Sequence, residues 1–170
     1  MLYKRRTILL KKTLRLLPAV VDNQFRGIKL SQYAFLLITV VTIVRSLIHV
    51  FAPDGGAQSI ATIPLESYST QAAATVILMF SLWGLSQLLM GFVYLGVYLK
   101  YKSLIPAMYV LLILEYAMRI VIGQMKPIVT TGTAPGSVGS WVMVPVCVLL
   151  LVLSLIKGKE NVKGAQTLNQ

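Results

Sequence analysis

Residues 104–125 read LIPAMYVLLILEYAMRIVIGQM, and the fold turns on that run. A helix needs about 20 apolar residues, rising ~1.5 Å each, to cross the hydrocarbon of a bilayer, and this stretch is long enough. Yet Glu115 and Arg119 stand inside it, four residues apart. That spacing puts both side chains on one helical face, where they can pair. Ionisable groups at membrane depth are costly. They turn toward a protein interior or a wet cavity, and they mark a candidate functional site.

Three further apolar runs accompany it, at residues 31–51, 70–99 and 141–156. The chain of 170 residues is 56% apolar and 12% charged, against roughly 25% charged in a typical soluble domain. The expected fold is therefore an all-α integral membrane protein, a four-helix transmembrane bundle over residues 31–156. The run at 70–99 exceeds the hydrocarbon thickness and is expected to tilt or project. The run at 141–156 is short and contains Pro145; it must thin the bilayer, be shielded by neighbours, or begin inside the preceding loop. On the second span Gly84, Gln87, Gly91, Tyr94 and Tyr98 share one arc of the helical wheel, which reads as a packing face for close helix approach. PDGG at 53–56 is a turn signature. KPIVTTGTAPGSVGS at 126–140 reads as an external loop, its glycines too irregular for a phosphate-binding loop.

The net charge of +11 has a topological explanation that makes nucleic acid an unneeded partner. Residues 1–30 form a basic anchor and connector. Within it LYKRRTILLKKTLRLL (residues 2–17) sorts Leu2, Leu9, Leu10, Thr13, Leu16 and Leu17 to one arc and Lys4, Arg5, Lys11, Lys12 and Arg15 to the other, with Arg6 and Ile8 misplaced. This predicts an amphipathic helix lying against anionic lipid headgroups. Lys and Arg number thirteen on the side of the termini and the Lys100–Lys102 turn, against Lys126 alone on the other. The positive-inside rule then places both termini, including the polar tail 157–170, in the cytoplasm of a cell with a bacterial-type plasma (inner) membrane.

Arg45 and His49 close the first span. Counted at ~1.5 Å per residue, Arg45, Gln87, Glu115 and Arg119 fall in the half of the membrane away from the termini, with His49 nearer that surface. The expected site is one buried network: Glu115 between Arg45 and Arg119, extended by Gln87, capped by His49, and roofed by Asp54, Glu66 and Lys126. Two arginines against one glutamate leave a surplus positive charge unless Asp54 or Glu66 folds in. Such a surplus invites an anion. Two functions follow. In the first the network fixes helix register in a structural or accessory subunit, packed as a homo-oligomer or in a larger membrane complex. In the second it binds a lipid-like or anionic ligand in an outward-facing pocket, or transports one as an oligomer. Catalysis is disfavoured: one histidine, one cysteine (Cys147) and five acids assemble neither a metal site nor a nucleophile motif. No cofactor is implied.

Overall fold

The computed structural model describes residues 16–157, and among these it is all-helical with no strand. Four long helices follow in order: α1 (Lys29–Phe51), α2 (Thr70–Lys100), α3 (Ile105–Met125) and α4 (Pro135–Leu155). Each is long and apolar enough to cross a membrane. The amphipathic segment 2–17 lies almost wholly outside the described residues, as does the tail beyond Lys157.

The helices pair as two hairpins, α1 with α2 and α3 with α4. Glycine sets the first pairing. A Cβ on Gly84 would come within 2.6 Å of His49 Cβ, and one on Gly91 within 2.8 Å of Ile43, so α2 approaches α1 through positions without side chains. The expected packing face thus lies against α1, with Gly84, Gly91 and Tyr94 buried. Proline and serine set helix starts. Ser69 caps α2 by accepting from the Ala72 amide, and Pro106 occupies the first turn of α3.

The fourth helix departs from the expected bounds. It begins at Pro135 rather than near residue 141 and spans 21 residues, so no thinning of a bilayer is called for. Proline at a first helical position needs no donor and already holds a helical φ. Gly136, Gly139 and Ser140, read from sequence as loop residues, continue the helix, and Ser140 Oγ donates back to the Gly136 carbonyl at 2.8 Å.

The two hairpins join at the end of the bundle that carries the termini. Every helix sends fully buried side chains there, among them Phe35, Tyr94, Tyr109 and Cys147. Phe35 meets Tyr94 and Tyr109 edge-on, both at 5.7 Å between centroids, a favoured aromatic geometry. The Tyr109 hydroxyl donates to the Ser31 carbonyl. Below this core the connector ahead of α1 stitches both hairpins. Ser103 Oγ donates to the Asp22 carbonyl and accepts from the Asp22 amide, and the Ile28 amide donates to the Leu153 carbonyl. Gly27 lies so close to α4 that a Cβ would reach within 2.4 Å of the Ser154 carbonyl oxygen. The Arg26 guanidinium beside Asp22 holds that carboxyl below the usual carboxylate range.

At the opposite, loop end the hairpins are tied by their loops. The Thr131 amide donates to the Thr62 carbonyl at 2.9 Å, and Thr62 Oγ1 donates to the Gly132 carbonyl at 2.9 Å. Thr62 holds φ at 58°, a left-handed conformation that is unusual for a β-branched residue. A small cluster of Ala57, Ile63 and Leu65 anchors the first loop on Val76, Ile77 and Phe80 of α2.

Candidate functional site: a cationic cleft between the hairpins

Between the joined end and the loop tie, the hairpins leave a cleft of about 1200 Å³. All four helices and both loops line it. Arg45 and His49 come from α1, Phe80 and Trp83 from α2, Tyr116 and Arg119 from α3. The first turns of α4 contribute Gly136, Ser137, Gly139 and Ser140. Arg45 lies six residues before the end of α1 and Arg119 six before the end of α3. At the helical rise both are therefore ~9 Å below the loop end, on one level.

What the two guanidinium groups share is an indole and not a carboxylate. The Arg119 guanidinium carbon lies 4.9 Å from the Trp83 ring centroid and that of Arg45 lies 5.5 Å from it, within the range of cation–π attraction. The two cations are thus no more than about 10 Å apart. Arg119 also stacks against Tyr116 at 5.6 Å. His49 packs on the same indole at 4.8 Å, and its Nδ1 bonds the Gly55 carbonyl at 2.8 Å. A ring nitrogen facing a carbonyl is the protonated one, so Nδ1–H donates there.

The expected network is corrected at four points. Glu115 does not bridge the two arginines: it pairs with Arg119, accepting from Nε and Nη2, because the i, i+4 partner is already on its own helix face. Arg45 has no ion pair among the described residues, and its Nε is buried without a hydrogen-bond partner. Gln87 does not extend the network. It is half-buried one turn beyond Trp83, and no hydrogen bond of its amide is found among the described residues. Asp54 does not roof the arginines. Its carboxylate accepts from the amides of Gly56, Gln58 and Ser59 in its own loop. Burial raises the affinity of that carboxyl for its proton, but the amides of Ser59, Gly56 and Gln58 outweigh it and hold the pKa at about 2.

Of the three roofing candidates, Lys126 alone lines the cleft, while Glu66 is exposed in a 3-10 turn (Leu65–Ser67). The cleft wall therefore carries three cations, Arg45, Arg119 and Lys126, and no carboxylate. Its polarity is graded. Gln124, Thr130, Thr133 and Ser137 stand toward the loops, and Leu37, Ile38, Val41 and Met143 toward the bundle core. Among the described residues no cluster of histidine, cysteine and acids has the makings of a metal site. Ser46, near His49 in sequence, is buried and donates to the Thr42 carbonyl, so it offers no nucleophile.

Trp83 is the residue that sequence reasoning missed. An indole in mid-helix carries no charge to draw notice, although tryptophan away from the interfacial belts is itself a signal. It stands next to Gly84, where α2 runs closest to α1, and this brings its ring to Arg45 and His49. Comparison of the chain with protein-family models, with curated proteins and with solved structures finds no match.

Proposed function

We propose that this chain is a multi-pass membrane protein that binds an anionic amphiphile in the cleft between its hairpins. Four helices of spanning length and composition support the membrane setting. So does the outward exposure of large apolar side chains such as Leu89, Phe92, Leu114 and Leu149, a surface that water would not tolerate over this area. The thirteen-to-one distribution of Lys and Arg favours cytoplasmic termini and a cleft facing away from the cytoplasm.

One observation carries the binding reading: three cations line the cleft with no carboxylate among them. A network serving only to fix helix register is expected to pair its charges internally, since an unpaired buried charge is strongly unfavourable. Arg45 departs from that expectation. The graded lining suits a ligand with a polar anionic head toward the loops and an apolar portion beside Leu37, Ile38 and Val41. As an accessory subunit the protein would instead need a partner's carboxylate to reach Arg45.

Native mass spectrometry of gently extracted protein separates these readings. Wild type is expected to retain an anionic lipid-like mass that Arg45→Gln and Arg119→Gln lose while remaining folded. Release of a bare protein by wild type, or retention of the same lipid by both variants, overturns the binding assignment.

A further inference from the structure

The geometry points to a phosphomonoester carried on an acyl chain as the ligand class, an inference that rests on the anion-binding reading above. Two independent counts lead there. The first is charge. Arg45, Arg119 and Lys126 contribute three positive charges to the cleft, and Glu115, bound to Arg119, removes one. The other acids near this end, Asp54 and Glu66, do not line the cleft. The helices α2 and α4 add no charged side chain to the cleft wall. A remainder of two positive charges is neutralised by a dianion.

The second count is of donors. Arg45 makes no hydrogen bond among the described residues: its Nε is buried, and its end-on edge, Nη1 with Nη2, is left unspent. Such an edge takes two oxygens of one oxyanion in parallel. Arg119 spends Nε and part of Nη2 on Glu115 and keeps Nη1 for a further acceptor. Two oxygens on Arg45 and one on Arg119 make three terminal oxygens on one centre. A carboxylate and a phosphodiester each have two; a phosphomonoester has three, and it carries close to two negative charges above its second pKa of about 6. The indole of Trp83 beside both cations and the apolar wall one and two turns below Arg45, at Val41 and Ile38, receive the chain.

The protein holds two tryptophans, Trp83 and Trp141, and both line the cleft. Intrinsic fluorescence therefore reports binding without a label. The full chain in a neutral detergent at pH 8 is titrated with lysophosphatidic acid, lysophosphatidylglycerol and lysophosphatidylcholine of one acyl chain, and with glycerol 3-phosphate. Lysophosphatidic acid is expected to bind at least about tenfold tighter than lysophosphatidylglycerol, and Arg45→Lys, which keeps the charge but loses the fork, to erase that preference. Equal binding of the two anionic lysolipids overturns the phosphomonoester assignment and leaves the anion-binding reading standing. Failure of every anionic lysolipid to bind removes both. Glycerol 3-phosphate binding as tightly as lysophosphatidic acid overturns the acyl-chain requirement and assigns the cleft to soluble phosphate esters.

Discussion

Replacing Arg45 by methionine should stabilise the ligand-free protein, whereas the same change at Arg119 should destabilise it. The magnitudes come from what each guanidinium touches. Arg45 and Arg119 lie within about 10 Å of one another. At an effective dielectric near 20 this is a repulsion of ~1.7 kcal/mol, and the Glu115 charge on Arg119 offsets part of it. The buried, unpartnered Nε of Arg45 costs a further ~1–3 kcal/mol. Against these stands a cation–π contact with Trp83 of ~0.5–2 kcal/mol. Methionine keeps most of the apolar stem and removes the repulsion and the orphan donor. The net gain is about 1 kcal/mol, or ~3 °C in Tm for a chain of this size. Arg119→Met does the reverse, leaving the half-buried Glu115 carboxylate without its partner. Discounted for partial exposure from the ~3–5 kcal/mol of a fully buried broken pair, the loss is about 2 kcal/mol. The assay is thermal unfolding of delipidated protein in neutral detergent, followed by tryptophan fluorescence. A comparable loss of Tm in both variants would refute the reasoning, because Arg45 would then be part of the scaffold.

Three more outcomes follow from the same geometry. Gly84→Ala forces α1 and α2 apart at His49 and should destabilise by ~1–3 kcal/mol as overpacking does; Gly96→Ala, whose Cβ meets nothing within 4 Å, should be neutral or better in the same melt. Asp54 has a folded pKa of about 2 against an ordinary 3.8. Its contribution is therefore complete above pH ~4 and drains away as pH falls toward 2, so Asp54→Asn should flatten the acid limb of the stability curve in that window and nowhere else. Gly139→Leu fills open space in the cleft wall; stability should hold or rise, while affinity for lysophosphatidic acid in the fluorescence titration falls at least about tenfold, the equivalent of ~1.4 kcal/mol.

What the sequence disclosed and what it hid divide along one physical line. The number of long helices follows from apolar run length alone. The Glu115–Arg119 pair follows from helical periodicity, because both residues ride on one helix. The partner of Arg45 was not legible in this way: it depends on the rotation of α1 relative to α2 and α3, which the Gly84 contact sets. Asp54 misled for a related reason. A carboxylate in a PDGG turn finds three amides within five residues, and these local bonds form in preference to reaching a distant guanidinium. The start of α4 was hidden because PGSVGS has the composition of an aqueous loop. Glycine and proline are nevertheless more frequent in membrane-spanning helices than in soluble ones.

That last misreading also explains the cleft. Two kinds of glycine serve this fold. Gly84 and Gly91 are bare because α1 presses on them, and a methyl group there would collide. Gly123, Gly136 and Gly139 are bare against open space, with nothing within 4 Å of an added Cβ, and all three line the cleft. The first kind holds a hairpin together; the second leaves unfilled the volume where the two hairpins would otherwise meet. With the hairpins locked at one end by Phe35, Tyr94, Tyr109 and Cys147 and tied at the other by Thr62 and Thr131, larger side chains on α4 would have closed the gap and gained packing energy. The chain instead forgoes that packing on the wall facing Arg45 and Arg119, where it also leaves an arginine without a carboxylate. Either omission alone is an ordinary imperfection. Together, in one cleft, they describe a volume whose missing contacts and missing charge have the same shape, that of an anion with an apolar tail.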